Sequence, residues 1–525
     1  MRKALAGLIL IAIVAGVGLL LVRRPPPRAE GSILRAKINS DILSSDPGMK
    51  RDGNTDAVLM HVVEGLVAAR EDGTVAPMLA SGWTVSPDGR TYRFALRRDV
   101  RFHNGAPLTA GDVKWSLDRY LAPDSHWRCK SDFGKDGIAR VEAVRVVDPH
   151  TVEVALDRRA PMFLPTLARI DCGGTGIAHR ASVGPDGKWL APIGTGPFRW
   201  GEWRRNQYVE LRRFAGYRSL PGKPDGNAGG KGALVDRLRF SVIPDSSSAA
   251  AALLRGSLDV LDNFASNELG GVRDAKGIRI ESALTSDLFC ILLRSEAPVL
   301  HDVRLRRALA LSIDDGALTR AATHGWGQPS SSLIPAASPY YGPQERQPIR
   351  RDLATARALV KASGYHGEPI ELITSHTPPD MYDAAILAQA MAREAGINIQ
   401  VVVLDWASQL ARYSAGNYQA TIFQFSPRLD PSMMAGLFIG DHATDPRKVW
   451  TTPAAIDLLR RSMIAEGPAR QAVIDTLDRR FRAEVPAIIL YSTRRLTALS
   501  TGVQGYHSWQ ASTQRLWNVG IGRAR

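Results

Sequence analysis

Cysteine is scarce in this sequence of 525 residues: only Cys129, Cys172 and Cys290 occur. None stands in a CxxC pair or a His/Cys spacing, which argues against a zinc site. Short catalytic motifs are missing as well, with no GxSxG, no HExxH and no GxGxxG after a strand. The nearest approach to a phosphate loop is DGNAGGKGA at 225–233. It has Asp225 where the first glycine belongs and Gly232 where Ser or Thr should follow Lys231. No arginine-rich tract is interleaved with aromatics, so the formal charge of +15 does not point to nucleic acid. Five of those cations (Arg2, Lys3, Arg23, Arg24 and Arg28) precede the first acid, Glu30, and the rest of the chain stays basic. Such a surface suits an anionic envelope or anionic solutes. Nothing calls for a cofactor, a metal or covalent chemistry.

The one long apolar run comes first. ALAGLILIAIVAGVGLLLV, residues 4–22, carries no charge. It is close to the roughly 20 residues of a membrane-spanning helix and exceeds the roughly 7–15 of a signal-peptide core. Export is expected. Ala29 follows Pro27 and Arg28 and makes a poor cleavage site, so an uncleaved inner-membrane anchor is preferred over a cleaved export signal, with RRPPPR as a stiff spacer. In an exported chain Cys129 and Cys172 are candidates for a disulfide, and Cys290, inside DLFCILL, for a buried thiol. Three unrelated buried thiols is the alternative.

The length calls for two or three domains. The first third alternates as strands do: TYRFALR at 91–97 sets Tyr92, Phe94 and Leu96 on one face. Thr109 and Asp112 then stand in capping-box spacing before a helical stripe of Val113, Leu117 and Tyr120. Two more strands meet at Asp148-Pro149. Later, PIELITS, a helix through 381–397 and NIQVVVLDW form a β-α-β unit, predicting a parallel sheet covered on both faces. The strand YQATIFQF follows and ends in SPRLDPS, at the edge where open α/β sheets bind ligands.

Several stretches together resemble the family 5 extracellular solute-binding proteins, the oligopeptide-, dipeptide- and nickel-binding group that feeds ABC importers. They are LASGWTVSPDGRTYRFALRRDVRFHNGAPLTAGDVKWSLDR (79–119), VVEGLV, GTGPFRW, VDRLRFSVIPDSSSAAAALLRGSLDV, LHDVRLRRALALSID, GWGQPSSSLIP and RLWNVGI, in order over about residues 32–521. The resemblance implies an α/β, two-lobed periplasmic-binding-protein fold (type II, cluster C-like) with an extra strand-rich domain in the first lobe. Lobe one is expected over 32–262, its extra domain over about 76–191, and lobe two over 263–492. Residues 493–525 return to lobe one, and 1–31 form the export segment and spacer. The implied work is capture of a small-molecule or peptide ligand by a monomer that hands it to permease subunits in the membrane. A membrane-tethered receptor that signals without transport is the alternative, and a hydrolase on this scaffold would need a nucleophile–base pair in the cleft.

By the same resemblance Trp406 and Phe425 are expected as apolar walls of the pocket. The acid that pairs with a peptide's amino terminus in the family is replaced, by spacing, with Arg428, and Asp430 lies two residues beyond. An arginine there suits a ligand carboxylate or phosphate. The other reading is that Arg428 and Asp430 pair with each other or with framework groups and merely hold the turn.

Overall fold

The computed structural model describes residues 31–135, 137–264, 270–376, 379–511 and 513–522. The apolar run at 4–22 lies outside them. Among the described residues no helix is long and apolar enough to cross a membrane.

Three sheets carry the architecture. The first has seven strands, in the order Ile278–Leu284, Arg494–Ser500, Val260–Asp262, Ile33–Ile38, Arg237–Val242, Tyr208–Arg213 and Phe198–Arg204. Ile33–Ile38 runs parallel to Arg237–Val242, with Leu34 opposite Leu238 and Ala36 opposite Phe240. All four are fully buried. The second is an antiparallel sheet of Ala80–Val85, Thr91–Leu96, Thr151–Leu156 and Val141–Asp148. Period-two alternation buries Tyr92, Phe94 and Leu96 and leaves Arg93 and Ala95 outside. The helix Ala110–Leu121 covers the buried face with Val113, Leu117 and Tyr120. Its start is the capping box that the spacing of Thr109 and Asp112 predicts.

The third sheet orders Gln328–Pro329, Ala487–Ser492, Leu288–Leu293, Ala420–Phe425, Ile370–Thr374 and Ile399–Val403. Only the last three of these pair with one another as parallel neighbours. Leu288–Leu293 runs antiparallel to both of its neighbours, so the sheet is mixed, not parallel throughout. All six residues of that central strand are buried. Phe289, Ile291 and Leu293 enter one core while Leu288, Cys290 and Leu292 enter the other. Burying each such side chain contributes about 1.5–3 kcal/mol.

Two connections join the first and third sheets. Ile278–Leu284, expected beyond the first half, instead pairs along Arg494–Ser500, so the departure expected near residue 262 falls at residues 285–287. The return falls at Thr493, between Ala487–Ser492 and Arg494–Ser500. Asp287, 2% exposed, ties both connections together. Its carboxylate accepts from Thr285 Oγ1 (2.5 Å), Thr493 N (2.9 Å), Thr493 Oγ1 (2.5 Å) and Gln424 Nε2 (2.8 Å). A buried carboxylate holding four donors, three from the two connections and one from Gln424 on the third sheet, fixes a pivot between the two halves.

Candidate functional site

The third sheet presents the carboxyl ends of Ile399–Val403 and Ala420–Phe425 to a cleft of about 810 Å³. The facing wall comes from the first half of the molecule and its antiparallel insertion, so three parts of the chain close on one space. That volume lies within the range of small-molecule pockets.

The loop Ser426–Asp430 leaves the strand Ala420–Phe425 and enters the helix Pro431–Phe438. Asp430 is the N-cap of that helix, accepting from Ser432 N at 2.8 Å, with Pro431 at the first helical position. Its carboxylate is 8% exposed and takes Arg470 Nη2 at 2.8 and 2.7 Å. Asp430 is thus a framework residue, and its partner is Arg470 instead of Arg428. Arg428 turns its guanidinium onto its own loop, with Nη1 donating to Ser426 O (3.2 Å), Ser426 Oγ (3.0 Å) and Pro427 O (3.0 Å). It has no ion-pair partner among the described residues. Burial pushes its pKa below the ordinary value. Asp171 across the cleft opposes that shift, while Arg169, Arg128 and Arg51 add to it.

Trp406 opens the helix Trp406–Ala415 behind its N-cap Asp405, and is 36% exposed on the cleft. Its ring lies 5.9 Å from that of Phe423. Phe425, expected as a second wall, is 5% exposed and is not a cleft-lining residue. It packs edge-on to Phe438 with centroids 4.8 Å apart. Strand alternation explains this: Phe423 and Phe425 share the core face, and Gln424 points to Asp287 at the pivot.

Sequence reasoning did not single out the opposite wall. There Arg51 pairs with Asp56, and Arg169 with both Asp171 (2.7 Å) and Asp132 (2.8 Å). Burial pushes Asp56 up to about 6 despite Arg51. Burial alone would raise Asp171, yet the bonded Arg169, with Arg428 and Arg51 nearby, holds it well below the carboxylate range. The sulfurs of Cys129 and Cys172 meet beside this cluster, with Cα atoms 5.4 Å apart. Cys290 stays apart as a buried thiol. The available signal was the charged residue next to each cysteine, in WRCK and RIDC. At the rim, Gly73 (φ +84°) meets the other half so closely that a Cβ there would lie 2.6 Å from Leu429 O.

Comparison with known proteins agrees with this architecture. Residues 74–444 match the family model described as bacterial extracellular solute-binding proteins, family 5 Middle. The glutathione-binding protein GsiB of Salmonella choleraesuis (strain SC-B67) is 28% identical over 379 residues, 71% of this chain and 70% of that protein. NikA from Brucella suis, solved in complex with Fe(III)-EDTA, superposes with a TM-score of 0.80 at 21% identity, covering 93% of this chain and all of the other. AgaA from A. tumefaciens R10, solved with agropinic acid, gives 0.73 at 22% identity over 94% and 99%. These relatives are substrate-binding proteins of two lobes, not enzymes. The chain belongs to family 5 of the bacterial extracellular solute-binding proteins.

Proposed function

We propose that the protein is the extracytoplasmic binding component of an ABC importer, and that it takes a peptide-like or other small anionic solute between its lobes. The observation that carries this reading is Arg428: a partly buried guanidinium on the cleft wall, bonded among the described residues only within its own loop. A cation held in a closing cleft with no acid bonded to it, and with Asp171 already paired to Arg169, is costly, and an anionic ligand removes that cost. Trp406 supplies an apolar face beside it, and Asp287 the pivot. The chemistry fits what related proteins are named for, glutathione and agropinic acid among them. Delivery requires that ligand stabilise the closed state, because only contacts made better when closed can shift the equilibrium. Residues 4–22 would carry the protein out of the cytoplasm and hold it at the inner membrane.

Native mass spectrometry of the protein purified from its own cells tests the reading. A retained solute with an anionic group, whose removal expands the protein in small-angle scattering, is the expected result. A protein that retains nothing and changes shape with no added solute would contradict it.

A further inference from the structure

Four arginines line the cleft, and their partners differ. Arg51 is bonded to Asp56, and Arg169 to Asp171 and Asp132. Asp430 belongs to Arg470, outside the cleft lining. Asp52 spends its carboxylate on the helix Gly53–Leu59, accepting from Thr55 N at 2.8 Å and Thr55 Oγ1 at 2.6 Å. Arg128 and Arg428 alone among these have no acid bonded to them within the described residues.

They lie on opposite sides. Arg428 belongs to the third sheet's loop, and Arg128 to the insertion. Arg128 is an exposed side chain on a rigid mount. Its own N–H donates to Gly48 O at 2.9 Å. Before it, Trp127 is 4% exposed, stacked between Tyr120 and Phe133, with its indole N–H on Cys172 O at 3.0 Å. After it comes Cys129, fully buried against Cys172. A backbone pinned on both sides restricts where a long side chain can reach, which is what a selective contact needs.

Resting on the reading above, we propose that Arg128 is a specificity-determining residue of this cleft. With Arg428 it forms a two-guanidinium clamp that selects a solute carrying two anionic charges, as a dicarboxylate or a phosphate does. Without ligand Arg128 repels Arg428 as the halves approach, as Arg169 and Arg51 do, against the attraction of Asp171, so the empty protein favours the open state. A single anionic group satisfies one guanidinium and leaves the other exposed to its like. A dianion satisfies both and turns repulsion into attraction, with planar donor forks suited to carboxylate or phosphate oxygens. Arg169 and Arg51, already paired, keep the wall in place without taking part.

The test compares the wild type with Arg128→Gln and Arg128→Lys. Calorimetry uses glutarate, monomethyl glutarate, citrate and inorganic phosphate as probes, and scattering reads the shape of the ligand-free protein. Because Arg128 is exposed and unpaired, both variants should melt with the wild type. At least one dianion is expected to bind wild type about tenfold or more tighter than monomethyl glutarate, the difference a charge-assisted pair supplies. Glutarate against phosphate identifies which anion chemistry the clamp takes. Arg128→Gln should abolish that preference, Arg128→Lys should keep part of it, and ligand-free Arg128→Gln should be more compact than wild type. Equal binding of glutarate and its monoester, or an Arg128→Gln variant that matches wild type in probe affinity or in ligand-free shape, overturns the clamp. If no probe binds, ligand-free shape decides. A solute retained from the cells that binds Arg128→Gln undiminished overturns the clamp alone and leaves the importer reading standing. Failure of the wild type to change shape with any solute overturns both.

Discussion

Arg470 Nη2 lies 2.8 and 2.7 Å from the two carboxylate oxygens of Asp430, across 40 residues of sequence. One arginine on the helix Gly467–Glu484 thereby fixes the start of another helix and the angle at which the loop carrying Arg428 leaves it. Asp430→Ala removes the cap and strands a buried cation, a change expected to cost about 3–5 kcal/mol in denaturant unfolding. A loss below about 1 kcal/mol would show that the pair does not hold the loop.

Gly73 provides a probe of closure. Its φ of +84° disfavours any side chain, and a methyl there would meet Leu429 O at 2.6 Å. Gly222 has a similar φ of +91° with open space around it. Gly73→Ala should therefore weaken ligand binding about tenfold or more and leave the protein open in scattering, while Gly222→Ala alters only stability, by about 1 kcal/mol. Equal effects from the two would mean that the Gly73–Leu429 approach does not belong to the ligand-bound state.

His61 should stay neutral in acid. It is fully buried, with Leu516 N donating to Nε2 at 3.0 Å, which leaves the proton on Nδ1 facing Ala57 O at 2.7 Å. Burial, aided by nearby Lys231, pushes its pKa down to about 3. The unfolded chain takes up a proton below about 6.5 and the folded one does not, so this group's contribution to stability is lost as pH falls from about 6.5 to about 3. Asp56 and Asp380, both pushed up to about 6 chiefly by burial, act in the opposite sense between about 6 and 4. Histidine-labelled NMR should find the His61 ring resonances unmoved from pH 7 to 4. A midpoint near 6.5 contradicts the assignment.

Joining Cys129 to Cys172 closes a loop with a sequence separation of 43. By chain entropy such a link contributes about 4 kcal/mol. A Cys129→Ser, Cys172→Ser double variant should lose stability on that order in calorimetric or denaturant unfolding. Wild-type stability in that variant would mean that packing around Trp127 alone holds the segment.

Much of this architecture is legible in the sequence wherever one face is wet. Tyr92, Phe94 and Leu96 announce their strand by alternation, and Thr109 with Asp112 announces a helix start. Leu288–Leu293 is apolar throughout because both faces are covered, so its antiparallel direction left no periodic trace. The site was legible in part. Asp-Pro at 430–431 is itself an N-cap and first-turn signature, but Arg470 is distant in sequence and carries no mark of its role. Phe425 was expected as a wall by family resemblance; which face it takes depends on the register that puts Gln424 over Asp287. Arg128 and Arg169 sit in loops without periodicity, and only the folded chain assembles them.

In the function proposed above, Arg428 meets an anionic group of the bound solute. Calorimetry of Arg428→Ala with the solute retained from the protein's own cells measures this most directly. A loss of affinity of about tenfold or more is expected, the scale of a charge-assisted hydrogen bond of about 1.5–3 kcal/mol. Unchanged affinity would make Arg428 a structural residue of its own loop and contradict an anionic contact there.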